Sequence, residues 1–540
     1  MGAGVGAARR RRGTAVGLFG AALLVAGTVL TPVGAHAQPS PTSGGHSAEH
    51  GDDDNQGDHG GRDGGDGRKG DHGKGKPGPS GSSSPSSSPS SGPGRRAEPP
   101  LVSGGSDSPT TRPAPDTGAV LAGAENGPEA AAPTAQGLQQ ALTAALADKS
   151  LGTVTIAVAD AADGRLLYGS GENTPATPAS TTKLATAVAA LSVLPADTRL
   201  TTRVVRGADP GTITLVGGGD PTLTALPADQ VQIGGQPADA DTAPASLEAL
   251  ARQTAEALKA AGTTTVRLDY DLSLYAGNPQ HHNHDAANIA LVVPLMVDEA
   301  RSDPRSREDA PARVADPAGA AADAFAALLA AQGVTVEGKA KSAAGPAAAE
   351  APVLGRVDSP TVARLVERLL TTSDNQLAEA IARQVALAAH QPASFEGAAA
   401  AVTQELTRLG VPMTGVVLND GSGLHPGNAI PPAVLVRLLA LAASDQHPAL
   451  RPVLTGLPVA GFTGTLNKRY GTGSGAADAA GLIRAKTGTL SGVNTLAGTV
   501  VDADGRLLAF AVMTRTTAPA DTARAAMDRI AARLTTCGCH

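Results

Sequence analysis

Three short motifs stand far apart in the 540-residue chain: Ser180-Thr181-Thr182-Lys183, Ser373-Asp374-Asn375 and Lys486-Thr487-Gly488-Thr489. If they act together, the fold must bring a helix start, a polar helix junction and a strand end to one place. The chemistry such a set names is acyl transfer through a serine ester. A serine hydroxyl is a poor nucleophile unless a base takes its proton, and Lys183 is the candidate base. On a helix that begins near Ser180, positions three apart share a face, so the Lys183 amine rides beside the Ser180 hydroxyl. A lysine works as a base only when part of its population is neutral. Shielding from water and a second cation such as Lys486 move its pKa in that direction.

Each motif alone has a plainer reading. Ser180 could be a helix N-cap, Ser373-Asp374-Asn375 a polar cap between two helices, and Lys486-Thr487-Gly488 a solvated strand end. Setting separates the readings: Pro178-Ala179-Ser180 opens the apolar run 184–191, a buried helix with the serine at its start. Free N–H groups and the positive dipole end there suit a developing oxyanion.

Further segments extend the pattern. They are Val216-Gly217-Gly218-Gly219-Asp220-Pro221-Thr222-Leu223, Asn419-Asp420-Gly421-Ser422-Gly423-Leu424, Gly464-Thr465-Leu466 with Arg469, and Ala485 to Leu490 followed by Leu496-Ala497-Gly498. With these in place, the chain from about 136 to 535 resembles the D-alanyl-D-alanine carboxypeptidases and endopeptidases of peptidase family S13, the class C low-molecular-mass penicillin-binding proteins. The resemblance implies a penultimate D-alanine carbonyl acylating Ser180, Lys183 as general base, and Ser373 relaying the proton to the leaving nitrogen. It implies Asn375 bonded to Lys183 and the substrate amide. Lys486, Thr487 and Thr489 would hold the terminal carboxylate, and the N–H groups of Ser180 and Thr489 the oxyanion. A free carboxylate needs a fixed cation and hydroxyl donors, and Gly488 leaves room for a close backbone approach.

The expected fold class is mixed α/β (α+β): the serine β-lactamase and penicillin-binding-protein transpeptidase-like fold, an antiparallel sheet between helical layers with an inserted α/β domain. Hairpins are expected at 153–168 and 495–514, with a cleft-lining strand at 484–489. Apolar spacing of three and four predicts helices at 181–192, 359–371, 376–389, 395–409, 431–444 and 518–534. The long gap between Ser180 and Ser373 holds the insertion, at 200–355. Strands are expected there at 199–205, 211–216, 264–270 and 334–341, and helices at 246–261 and 318–332. The catalytic part is then 136–199 and 356–536. The chain departs from the family where a Ser-Val-Asn-Arg-type strand should stand; residues 290–299 occupy that place. Asp271, in Asp271-Leu272-Ser273-Leu274-Tyr275, matches a family segment that contacts the substrate side chain, although a turn residue after a strand fits it equally.

Before the folded part, Arg9 to Arg12, an apolar run at 16–33 and Ala35-His36-Ala37 read as a secretory signal peptide over 1–37; an uncleaved anchor is the alternative. Residues 38–135 carry almost no large apolar side chains and read as a disordered low-complexity spacer. His46, His50, His59 and His72 among the aspartates there, and His281, His282 and His284 beside Asp285, read as solvated polar segments rather than metal sites. No cofactor or metal is called for by the chemistry. The expected partners are peptidoglycan stem peptides ending in D-Ala-D-Ala and β-lactams, and the expected place is outside the cell or at its wall. A net charge of −7, with no basic cluster beyond the signal segment, argues against nucleic acid. Cys537 and Cys539 lie in the tail 537–540, outside any core helix, as a local or an intermolecular disulfide. The alternatives to a carboxypeptidase are a serine β-lactamase, which shares the three motifs, and a non-catalytic penicillin-binding or wall-binding protein.

Overall fold

A computed structural model describes residues 130–540 apart from 234–235, 284–286, 307 and 309. The expected signal segment, nearly all of the spacer with its four histidines, and His284 with Asp285 lie outside the described residues. In chain order the elements are α1 (Ala135–Leu146), β1 (Thr153–Asp160), β2 (Leu166–Ser170), α2 (Thr182–Val193), β3 (Arg199–Arg206), β4 (Thr212–Val216), the short β5 (Gln232–Ile233) and β6 (Gln236–Pro237), and α3 (Leu247–Ala260). There follow β7 (Thr265–Asp271), α4 (Pro317–Ala331), β8 (Thr335–Val336), β9 (Lys341–Ser342), β10 (Val353–Thr361), α5 (Val362–Thr372), α6 (Asn375–Ala388) and α7 (Phe395–Arg408). The last are α8 (Pro432–Ala443), α9 (Pro452–Thr455), β11 (Ile483–Leu490), β12 (Val493–Val501), β13 (Leu507–Arg515) and α10 (Ala520–Thr535).

The first sheet has the order β11-β12-β13-β1-β2 and is antiparallel throughout. Its strands read as nearly continuous apolar runs because both faces are covered. Alternation assigns the faces. Ile156, Val158, Leu496, Phe510 and Val512 pack against Leu138 and Leu142 of α1 and Ile530 and Leu534 of α10. Their neighbours Ala157, Ala159, Ala497, Ala509 and Ala511 turn to the other side, against α2 and α8. Small residues there let the helices lie close. Residues 182–191 of α2 are all buried, so this helix has no polar face to show water.

The second sheet has the order β10-β3-β4-β7-β8, with β9 also paired to β7. Its connections β4-α3-β7 and β7-α4-β8 join parallel neighbours. A separate core of Leu215, Leu250, Leu268, Phe325 and Leu329 lies beneath. Two details differ from expectation. The strand expected at 334–341 is two short strands, because Gly338 takes a left-handed turn, φ +72°, between them. A further strand, β10, pairs with β3 and runs across residue 355 to 361, so the second sheet continues past the expected end of the insertion. It also displaces the expected start of the next helix from 359 to 362, where the Thr361 hydroxyl accepts from Arg364 N–H.

The tail is more integrated than its position suggested. Cys537 and Cys539 are disulfide-bonded, Cys537 is buried in the core under α1, and the Cys539 carbonyl accepts from Thr134 N–H at 2.7 Å. Among the described residues no helix is long and apolar enough to cross a membrane.

Candidate active site

Ser180 sits in a 3-10 turn, Ala179–Thr181, that leads straight into α2. The turn is held from three sides. The Pro178 carbonyl accepts from the Thr181 and Thr495 hydroxyls, Ala179 has a left-handed φ of 47°, and Gly423 lies against it. A Cβ on Gly423 would stand 1.9 Å from the Ala179 carbonyl oxygen, so only glycine fits there. One turn on, Lys183 is fully buried, with Nζ 3.0 Å from Ser180 Oγ. Its other two neighbours are Asn375 Oδ1 at 2.7 Å and the Ser422 carbonyl oxygen at 2.6 Å. Both are pure acceptors. A neutral amine has two N–H bonds and one lone pair; when the bonds go to the two carbonyls, the lone pair faces the Ser180 hydroxyl. Burial brings the Lys183 pKa down to about 8, against the pull of the Asp420, Glu379 and Asp374 carboxylates.

The second motif sits where α5 meets α6. Ser373 closes α5 in a left-handed conformation, φ 61°, and Asp374 caps α6, accepting from Leu377 N–H at 2.8 Å. The plain reading of this motif as a helix cap therefore holds. Ser373 Oγ accepts from Lys486 Nζ at 2.8 Å, and Lys486 also donates to the Thr487 carbonyl at 2.7 Å. Burial, with the charge of Lys183 second, holds the Lys486 pKa well below its ordinary value. Asn375 turns its Nδ2 to the Asn288 carbonyl, 3.2 Å away, just before residues 290–299, where the Ser-Val-Asn-Arg-type strand was sought.

The third motif lies on the edge strand β11, whose Lys486 pairs with Ala497 of β12. The structure gives Gly488 a further reason of its own. A Cβ there would meet Thr495 Oγ1 at 2.2 Å, the Pro178 carbonyl at 2.8 Å and Ser180 N at 2.9 Å. Its missing side chain admits the nucleophile's own turn, not only a ligand. The half-exposed Thr487 hydroxyl donates to Thr465 Oγ1 at 2.8 Å, and Thr489 Oγ1 accepts from Arg524 of α10 at 3.2 Å. Side by side on the open edge, these hydroxyls and the buried Lys486 amine can receive a carboxylate.

Asp271 lies apart from this constellation. Its two carboxylate oxygens accept from Ser273 N–H at 2.8 Å and Ala347 N–H at 2.7 Å, both within the second sheet's own loops. These bonds fit the turn residue that was the alternative reading of Asp271. Several participants carried no signal in the motifs. The Ser422 carbonyl is one; buried Glu379, which accepts from Gly421 and Ser422 N–H, is another. Glu299 is a third: within a left-handed run at Asp298, Glu299 and Ala300, it binds Arg368 and Arg301 and lies beside Asp374. His281 also differs from expectation. Instead of belonging to a solvated loop it is buried, 2.9 Å from Asp420. His281, Glu379 and Asp420 form a three-residue cluster of metal-ligand type, but each is already bonded to the others or to loop amides.

Comparison with known proteins then decides the family. The sequence pattern of the D-Ala-D-Ala carboxypeptidase 3 (S13) family matches residues 138–311 and 302–534. The chain belongs to that family. It is a serine-type carboxypeptidase hydrolase of the penicillin-binding-protein class. Among S13 relatives, carboxypeptidase DacB of Mycolicibacterium smegmatis is 38% identical over 416 residues, 75% of this chain and 85% of that protein. A D-alanyl-D-alanine carboxypeptidase of an Actinomadura species is 30% identical over 400 residues, covering 62% of this chain and 74% of its own. The S13 fold is shared with penicillin binding protein 4 of Haemophilus influenzae, at a TM-score of 0.58 and 20% identity. That match covers 74% of this chain and 99% of the other.

Proposed function

We propose that the protein is a secreted serine D-Ala-D-Ala carboxypeptidase that works through a Ser180 ester on peptidoglycan stem peptides and is acylated by β-lactams. One observation carries the reading: Lys183 Nζ faces Ser180 Oγ at 3.0 Å while two carbonyl acceptors take its other bonding directions. Lys183 takes the hydroxyl proton as Ser180 Oγ attacks the penultimate D-alanine carbonyl. Negative charge on that oxygen is met by the N–H groups of Ser180 and Thr489. Lys486 and Ser373, bonded at 2.8 Å, lie on the path by which a proton reaches the leaving nitrogen. The C–N bond breaks, D-alanine departs, and water returns the ester to free Ser180. The terminal carboxylate rests on Lys486, Thr487 and Thr489. Endopeptidase action on cross-links uses the same attack on a longer leaving group.

Secretion rests on the basic and apolar N-terminal pattern, with residues 38–135 as a spacer between it and the enzyme, at or outside the wall. We further assign 136–199 and 356–536 to the catalytic part and 200–355 to the insertion, with β10, Val353–Thr361, crossing from the insertion into the catalytic part. The test is release of D-alanine from a peptide ending in D-Ala-D-Ala by wild type, Ser180→Ala and Lys183→Met. Wild type should release it and both variants should not. Undiminished release by Ser180→Ala would overturn the reading.

A further inference from the structure

We infer that His281, contributed by the loop after β7, is a positioning residue for Lys183, acting through Asp420 and the peptide unit between Ser422 and Gly423. This rests on the reading of Lys183 as the base. His281 Nδ1 accepts from Asn283 N–H at 3.0 Å, so the ring proton sits on Nε2, where it donates to Asp420 Oδ2 at 2.9 Å. The Phe395 ring meets it edge to face at 5.1 Å and fixes its plane. Asp420 is saturated: its oxygens also accept from Gly423 N–H at 2.9 Å, His425 N–H at 2.7 Å and Asn428 Nδ2 at 2.6 Å.

The consequence follows from peptide planarity. Gly423 N–H and the Ser422 carbonyl belong to one flat unit and point opposite ways. Holding that N–H on Asp420 aims the carbonyl at Lys183 Nζ, 2.6 Å away. The preceding unit is held likewise, with Ser422 N–H on Glu379 at 2.8 Å and the Gly421 carbonyl on the Thr186 hydroxyl at 2.7 Å. Two buried carboxylates thus take the loop's amides and turn its carbonyls toward α2. His281 is a side-chain donor to Asp420 from outside this loop, so it ties the second sheet's loop to the direction of the Lys183 lone pair. Without it, Asp420 keeps its charge but loses one anchor.

The test uses the mature protein as His281→Leu, His281→Gln and Lys183→Met. It reads benzylpenicillin acylation rates from pH 6 to 10, together with Tm. The charged groups facing Lys183 are Asp420, Glu379, Asp374 and Lys486, and all are unchanged in the His281 variants. Leucine cannot donate to Asp420; acylation should slow on the order of ten- to a hundredfold, the scale of a mispositioned base. The rising limb of the rate should also move to higher pH, because a less satisfied Asp420 attracts the Lys183 proton more strongly. Glutamine can donate to Asp420 and accept from Asn283 N–H, so His281→Gln should recover most of the rate and the wild-type limb. Equal defects in both variants with the limb unmoved would overturn the inference, as would wild-type rates in His281→Leu. Full acylation of Lys183→Met would instead overturn the reading of the base itself.

Discussion

Lys486 and Lys183, both fully buried, are bonded to the two motif serines: Lys486 Nζ lies 2.8 Å from Ser373 Oγ, and Lys183 Nζ lies 3.0 Å from Ser180 Oγ. Two ammonium groups in one dry cleft are costly, and their pKa values fall together. A neutral lysine is what Ser180 needs, and burial moves both amines in that direction.

Acylation by benzylpenicillin should therefore rise with pH as Lys183 gives up its proton, with a midpoint near about 8. The sign is fixed by the chemistry: protonated Lys183 has no lone pair for the Ser180 proton. Rates from stopped-flow mixing between pH 6 and 10 check it. A rate independent of pH across that range would contradict the assignment.

Asp374 and Glu299 share one buried site and split their titration. Burial and the Glu299 charge push Asp374 up to about 6, while Arg368 and Arg301 hold Glu299 down at about 2 despite its burial. Asp374 is thus the carboxyl that takes up a proton first as pH falls. Its folded pKa lies above the unfolded one, so its contribution is full below about 4 and is lost as pH rises through about 6. Glu299 works in the opposite sense, but only as pH falls through its lower range. Asp374→Asn, which keeps an acceptor for Leu377 N–H, should flatten the fall in Tm between pH 4 and 7. Thermal melts of both proteins decide it; an unchanged slope in the variant would count against the shared proton.

Gly488→Ala should separate activity from stability. The new Cβ falls within 3 Å of Ser180 N and the Pro178 carbonyl, so β11 must move away from the nucleophile. We expect acylation to drop on the order of a hundredfold, with a folded circular dichroism spectrum. A fully active variant would show that the turn is not held by this contact.

Arg524 should be felt through the carboxylate. Its guanidinium donates to Thr489 Oγ1 at the open edge of β11. Replacing it by alanine should raise KM for peptides with a free C-terminus roughly five- to tenfold, the effect of about 1 kcal/mol. Peptides with an amidated C-terminus should be unaffected. Steady-state assays on the two peptide types distinguish this from a general loss.

Much of this site is legible in the sequence because its chemistry resides in side chains at fixed spacing. Ser180 and Lys183 are one helical turn apart, and Thr487 and Thr489 alternate along a strand onto one edge. The paired hairpins around Asp163-Gly164 and Asp504-Gly505 are visible for the same reason. The Ser422 carbonyl is not, since every residue has one and only the loop's amide contacts to Asp420 and Glu379 aim it. His281 sits in a polar run, so its burial arises from the tertiary packing of Phe395 and Asp420, which no local pattern carries. Asp271 stays ambiguous in sequence because an Asp two residues before a Ser is the same pattern whether it caps a turn or meets a ligand. Strand β10 is hidden by Gly355 and Pro360, residues that weaken strand signals but are tolerated at the edge of a sheet.

The measurement that tests the central claim most directly is intact-mass spectrometry of the mature protein with benzylpenicillin, wild type beside Ser180→Ala, followed over hours. The account predicts one stoichiometric, slowly lost adduct on wild type and none on the variant. An adduct of equal yield on Ser180→Ala, or none on either protein, would contradict it; rapid turnover to penicilloate would make the protein a β-lactamase instead.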